Sequence, residues 1–191
     1  MKKVVFNIKK LQFSKITAVS DAGVPTYGSP MKLPGTVSLT LNSETTSDPF
    51  YADGEVYFLP KGAETQTGTL ENAQFSDDVL KAIYAYIEDT NGNMLATDGQ
   101  VAEFGMQFAC DSDDGEIYFT YYRCTTTKPG LNVTTNAPGA TINPQSVNVT
   151  ASTITLADGN TKCLSSYATK NAANYSNYFT AITVPTVPAS I

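Results

Sequence analysis

Apolar and polar residues alternate along most of this chain, the two-residue period of strands that bury one face. Leu11 and Phe13, then Ile16 and Ala18, alternate in two phases, which predicts a first strand interrupted by a bulge. Asp21-Ala22-Gly23 turns the chain into a second strand over residues 26–33. Val37, Leu39 and Leu41 mark one face of a third strand, and Val56 and Phe58 one face of a fourth, with Asp48-Pro49 and Asp53-Gly54 bounding the loop between them. A Gly/Thr-rich turn over residues 61–68 then leads to a strand over 70–75. Phe104, Met106, Phe108 and Cys110 alternate, as do Ile117, Phe119 and Tyr121, which predicts a β-hairpin turning through residues 111–116. Val147, Val149 and Ala151 form the last major strand, and the change of phase at Ile154 and Leu156 predicts a bulge in it.

One segment carries a helical period. Ser76 is a suitable N-cap, Asp77 and Asp78 suit the positive end of the helix dipole, and Val79, Ile83 and Ile87 recur every four residues until Asn91-Gly92 stops the run. That stripe, joined by Leu80 and Tyr84, is expected to cover one side of a sheet; docking a partner is the sharper alternative. Lys128-Pro129-Gly130 opens a polar segment containing Pro138-Gly139 and Asn143-Pro144, too long for an ordinary hairpin loop and so either mobile or ordered by a neighbouring subunit. Residues 181–191 are apolar and extended by prolines, and this tail is either free or docked on another chain. No repeat and no linker divides the 191 residues, so one domain is expected, with an N-terminal arm over about 1–10 and a C-terminal tail over about 181–191.

Composition adds to this picture chiefly through what is missing. Tyr (11) and Phe (9) with no Trp, among abundant Thr, Asn, Ser and Gly, favour strands and turns. The absence of histidine removes the commonest general base and the usual Ser/His/Asp and Cys/His constellations. The adjacent acids Asp77/Asp78 and Asp113/Asp114 have ordinary explanations at a helix start and a hairpin tip, so no catalytic residue is assigned and no enzyme is expected. Cys110, Cys124 and Cys163 lack metal-ligand spacing and are expected to be reduced, mostly buried thiols. Residues 111–116 crowd carboxylates together, but Gly115 stands at position five and no Glu at twelve, so the calcium-loop spacing fails. No metal and no cofactor is expected. Asn7 and Lys9-Lys10 interrupt the apolar start too early for a signal peptide, and no apolar run approaches the roughly 20 residues a membrane-spanning helix needs.

Charge is divided along the chain. Residues 44–116 hold sixteen of the eighteen acids but only Lys61 and Lys81 of the twelve basic residues, a net −14 against +8 for the remainder. Such asymmetry suits head-to-tail association, in which a positive surface of one subunit meets a negative surface of the next; acidic loops that merely solvate one edge are the plainer reading.

Several segments in sequence carry a family resemblance. Val24-Pro25-Thr26-Tyr27-Gly28-Ser29-Pro30-Met31-Lys32-Leu33 precedes Pro34-Gly35-Thr36-Val37-Ser38-Leu39-Thr40-Leu41, followed by Asp48-Pro49-Phe50-Tyr51-Ala52-Asp53-Gly54-Glu55-Val56-Tyr57-Phe58. Thr67-Gly68-Thr69-Leu70-Glu71-Asn72-Ala73, Ser76-Asp77-Asp78-Val79-Leu80 and Glu88-Asp89-Thr90-Asn91-Gly92 come next. Met106-Gln107-Phe108-Ala109-Cys110 and Tyr121-Tyr122-Arg123-Cys124-Thr125 complete the order. Over residues 11–184 the chain resembles the major tail proteins of long-tailed siphophages, the subunits of the tail tube. The resemblance implies a mainly β fold, an antiparallel β-sandwich or partial barrel with one flanking α-helix, arranged as six-fold rings whose inner sheets join across subunits. It implies a virion protein assembled in a bacterial cytoplasm. Its partners would be copies of itself, other tail proteins at the tube ends and DNA in transit, with no membrane insertion.

Under that resemblance Asp48, Phe50, Tyr51, Val184, Pro185 and Val187 are the expected contacts between subunits. Asp53, Glu55, Glu71, Asp111, Asp113, Asp114 and Glu116 are the expected acids of an inner wall that repels phosphate. Two rivals stand beside it. A carbohydrate-binding or adhesin-type β-sandwich would use Tyr51, Tyr57, Tyr118 and Tyr122 as exposed stacking platforms, and a tube protein of another phage-like particle would share the architecture.

Overall fold

In the computed structural model, which describes residues 4–45, 49–59, 62, 64–135 and 143–187, the alternating segments build antiparallel sheets. In chain order the strands are β1 (Val5–Val19), β2 (Pro25–Tyr27), β3 (Met31–Lys32), β4 (Thr36–Thr45), β5 (Phe50–Ala52), β6 (Glu55–Phe58) and β7 (Glu64–Asn72). After helix α1 (Asp77–Ala82) come β8 (Ile87–Glu88), β9 (Met94–Leu95), β10 (Phe104–Ser112), β11 (Gly115–Thr126), β12 (Gln145–Ser152), β13 (Ile154–Thr155), β14 (Lys162–Cys163) and β15 (Ser165–Ala168). The main sheet runs β2-β1-β10-β11-β12-β7-β4, with β3 beside β1 and β15 beside β11. The pairs β5–β6, β8–β9 and β13–β14 stand apart from it.

Strand β10 is buried on both faces, and each face has its own cover. On one side Phe13, Phe104, Met106, Leu70, Val147 and Val149 pack with Phe75, Val79, Ile83 and Tyr84 from the helical turn and its flanks. Phe13 and Phe104 meet at 4.3 Å between ring centroids, and Phe75 meets the edge of Tyr84 at 5.3 Å. Each such side chain contributes roughly 1.5–3 kcal/mol through burial. β4 comes back against β1, so the sheet curls around this core as a partial barrel with one flanking helix.

The opposite face carries Gln12, Gln107 and Thr120, all buried, and these polar side chains fasten the C-terminal segment. Gln12 Nε2 donates to Gln107 Oε1 at 2.8 Å and to the Phe179 carbonyl at 3.0 Å. Gln107 Nε2 donates to the Tyr178 carbonyl at 2.9 Å, and Thr120 Oγ1 donates to the Tyr178 hydroxyl at 2.7 Å. Buried amides and hydroxyls are costly without partners, so this network holds residues 178–179 in one register. Beyond it Ile182 is buried with Tyr122, Ile154 and Leu156, above the bare backbone of Gly105.

Several expectations need correction. The helix ends at Ala82 because Ala85 sits at φ 58, and Ile87 belongs to β8 instead of a third turn; Ser76 makes no side-chain cap. The Asp89 carboxylate accepts from the backbone amides of Asn91 and Asn93, closing the β8–β9 turn that displaces the helix. Residues 64–68 are not a turn but the start of β7, and the expected second strand splits into β2 and β3. β4 pairs with β7, while β5 and β6 pair only with each other, so Val56 and Phe58 are exposed instead of facing a core. A bulge between Thr36 and Ser38 turns Val37 outward. The phase change after Ala151 is a break between β12 and β13, not a bulge. Part of the polar segment, residues 136–142, lies outside the described residues.

Candidate assembly interface

The β4–β7 ribbon carries two of the expected contacts, Phe50 and Tyr51, on the hairpin that joins its strands. Asp53 (φ 54) and Gly54 (φ 81) both take the left-handed conformation, which suits the two-residue turn of a tight hairpin joining β5 to β6. This hairpin extends from the far end of the ribbon with both faces open: Phe50, Tyr51, Val56, Tyr57, Phe58 and Leu59 are between 53% and 76% exposed. Phe50 and Tyr57 touch edge-on at 6.5 Å. A two-stranded hairpin is marginal in water by itself, and these six large side chains are left uncovered among the described residues.

Strand β4 is also an edge. It is hydrogen-bonded to β7 on one side and, although it approaches β1, to no other strand among the described residues, which leaves backbone groups open to strand addition. Register fixes what its two faces show. Leu39, Leu70 and Val147 align toward the core, as do Leu41, Gly68 and Val149. The alternate positions are Ser38, Thr40, Asn42 and Glu44 on β4, Thr65, Thr67, Thr69 and Glu71 on β7, and Ser146, Asn148, Thr150 and Ser152 on β12. On these three strands the outer face is hydroxyl, amide and carboxylate throughout; the cation at its margin is Arg123 of β11, opposite Ser152, which pairs with Glu103 at 2.8 Å. Ser38 Oγ donates to Glu71 at 2.8 Å, and Thr67 donates to Glu44.

The expected wall acids are therefore not one surface. Glu71 lies on this polar face, and Asp53 and Glu55 are exposed on the hairpin. Asp111 and Glu116 lie near the β10–β11 tip in a cluster with lysines of β1: Lys9 bridges both, at 2.8 Å to Glu116, and Lys10 reaches Glu116 at 2.6 Å. The bulges at Asn7 (φ 57) and Lys10 (φ 56) aim these side chains there, so the strand begins well inside the expected N-terminal arm. Asp114 pairs with Lys170 at 2.5 Å, and Asp113 is exposed and accepts from Ser112.

The expected contacts divide as well. Phe50 and Tyr51 are exposed on the hairpin, whereas Val184 packs on its own chain beside Ile182 and Pro185 is half-buried. Val187 remains exposed, and Asp48 lies outside the described residues. Tyr118 and Tyr122 are buried, which removes them as exposed platforms for sugars. Tyr57, Phe58 and Leu59 are exposed beside Phe50 and Tyr51; the sequence marks Tyr57 as an exposed platform and Phe58 as one face of a strand, and the further signal is aromatic density beside an Asp-Gly turn. Cys110, Cys124 and Cys163 are free thiols, the first two buried.

The Lys9/Lys10 cluster makes acid stability testable. Lys10 and Lys9 hold the Glu116 carboxyl down from 4.5 to about 2, and Lys9, with Asn7, lowers Asp111. A depressed folded-state value means the stabilisation is present above the ordinary carboxylate range and is lost as pH falls through about 2 for Glu116. The stability difference between wild type and Glu116→Gln, from chemical unfolding followed by circular dichroism, is expected to be full above the ordinary 4.5 and to vanish near 2. A difference that does not change with pH counts against the cluster.

No helix among the described residues is long and apolar enough to cross a membrane. In sequence comparisons the chain matches no family model and no curated protein.

Proposed function

We propose that this chain is a structural subunit that assembles with copies of itself into stacked rings forming a tube, of the kind built by the major tail proteins of long-tailed siphophages, and that the tube conducts genome DNA. The observation that supports this best is the β4–β7 ribbon, which combines a free edge, a cation-free polar face and an unpartnered apolar hairpin in one element. Pairing free edges around a closed ring would remove the liability that β4 presents. Stacking is a heterologous contact that continues indefinitely, and the hairpin at one end of the subunit suits it.

The outer face of β4, β7 and β12 fits the lumen. Nonspecific DNA affinity comes from lysine and arginine contacts to phosphate; these three strands offer none while presenting Glu44 and Glu71, and Arg123 beside Ser152 is already paired with Glu103. At a Debye length of about 8 Å, only the wall itself acts on a passing duplex, so the ion-paired acids around Lys9, Lys10 and Lys170 can lie elsewhere without weakening the effect. In this reading the protein is a virion component with no catalytic step, and other tail proteins meet it at the tube ends.

Purified protein, concentrated without nucleotide, metal or other proteins, is expected to form rings or tubes in electron micrographs. Light scattering that reports only monomer at low and moderate salt, with no tubes in micrographs, overturns the proposal.

A further inference from the structure

A cavity of about 850 Å³ opens where β1, the start of β4 and the C-terminal segment meet. Its walls include Lys9, Lys10, Lys32, Tyr118, Tyr175 and Phe179. Tyr118 and Tyr175 stack at 4.2 Å, and the Lys10 ammonium stands 5.5 Å from the centre of the Tyr118 ring. No acid lines it. Glu116 engages Lys9 and Lys10 and Asp111 engages Lys9, whereas Lys32 is exposed and makes no ion pair among the described residues. The volume falls in the range of roughly 300–1,000 Å³ typical of sites that enclose a ligand.

We propose that this cavity receives the β5–β6 hairpin of a second copy of the chain. The inference deepens the tube reading and rests on it for the identity of the partner. The two surfaces have matching chemistry. Residues 49–59 of the hairpin carry Asp53 and Glu55, no basic residue and four aromatic side chains, while the cavity offers lysines and aromatic faces. Aromatic anchors that enter a pocket and are ringed by charge are the usual centre of a strong interface. Their placement excludes self-occupation. The cavity lies at Thr36, where β4 begins, and the hairpin follows Thr45, where it ends, so ten extended residues hold them about 30 Å apart. Donor and acceptor at opposite ends of one rigid strand let copies join head to tail, the heterologous contact that a stack of rings needs.

The test uses the full chain in two forms. Tyr57, 76% exposed, is replaced by a benzophenone amino acid and crosslinked in a mixture of isotopically heavy and light protein. Crosslinks between copies are expected in the peptides containing Lys32–Thr36 or Tyr175–Thr180; crosslinks elsewhere, or none at concentrations that give assemblies, overturn the inference. Separately, Tyr57→Ala/Phe58→Ala disables the hairpin and Lys32→Glu/Ser176→Trp disables the cavity. Each variant alone is expected to lose assembly at least tenfold, and the mixture to give a one-to-one complex by sedimentation. Unfolding of a variant is detected by circular dichroism, and the crosslink then decides alone. Tubes whose crosslinks map elsewhere sink this inference and leave the tube reading standing. A one-to-one complex from the mixture, with no tubes from wild type, does the reverse.

Discussion

Gly68→Ala is expected to lower the thermal unfolding midpoint by roughly 4–10 °C, because the added methyl group has nowhere to go. A Cβ at this position would stand 1.8 Å from the carbonyl oxygen of Thr40 and 2.7 Å from its carbonyl carbon. Both are backbone atoms in the paired strand, so no rotamer relieves the clash and β4 must move away from β7. Overpacking of this kind costs about 3 kcal/mol, less the roughly 0.5–1 kcal/mol that alanine gains over glycine in a strand. A chain of this size loses about 2–4 °C per kcal/mol, which gives the stated range. Gly105→Ala is the contrasting case. Its Cβ would meet the ends of Ile182 and Tyr27, at 2.4 and 2.8 Å, and these side chains can turn aside. Its effect should be smaller and local, read as faster proteolysis of the C-terminal segment. Equal midpoints for wild type and Gly68→Ala would show that the ribbon is not this tightly joined.

Gly68 also shows where periodicity misleads. Its Gly/Thr-rich surroundings read as a turn because glycine and threonine are common in both turns and strand faces, and only the partner strand reveals the close approach. The central hairpin was legible because β10 and β11 are neighbours in sequence and carry large apolar side chains at alternate positions, although β10 is buried on both faces. The β4–β7 pairing was not, since nearly twenty residues and a second hairpin intervene. Val56 and Phe58 have the spacing of a core strand, and spacing does not report whether a core or a partner will cover them. The helix was overextended for a related reason. Ile87 keeps the four-residue interval, but the Asp89 carboxylate gathers the amides of Asn91 and Asn93 into a turn, a local competition invisible to an apolar pattern. The C-terminal segment is anchored through Gln12, Gln107 and Thr120, polar residues that appear in sequence as the wet side of strands.

The same register that exposes the polar face yields the second large expected effect. Thr69 and Asn148 are direct neighbours across β7 and β12 on the outer face, so Thr69→Lys/Asn148→Lys places a pair of ammonium groups on the surface proposed as the tube wall. Neither side chain supports the core, since Leu70, Val147 and Val149 occupy the alternate positions. Monomer stability is therefore expected to fall by no more than about 1 kcal/mol, the scale of a like-charge pair directly opposite across two strands. DNA behaviour should change far more. Every ring would add several cations along the duplex, and each phosphate contact contributes about 0.9 to the slope of log affinity against log salt. Wild-type tubes are expected to retain no duplex DNA at physiological salt, whereas variant tubes should retain it inside and release it steeply as salt rises. Retention is read by nuclease protection, with tube morphology checked in micrographs. Tubes of normal shape that gain no protected DNA would place this face outside the lumen and remove the electrostatic argument for it.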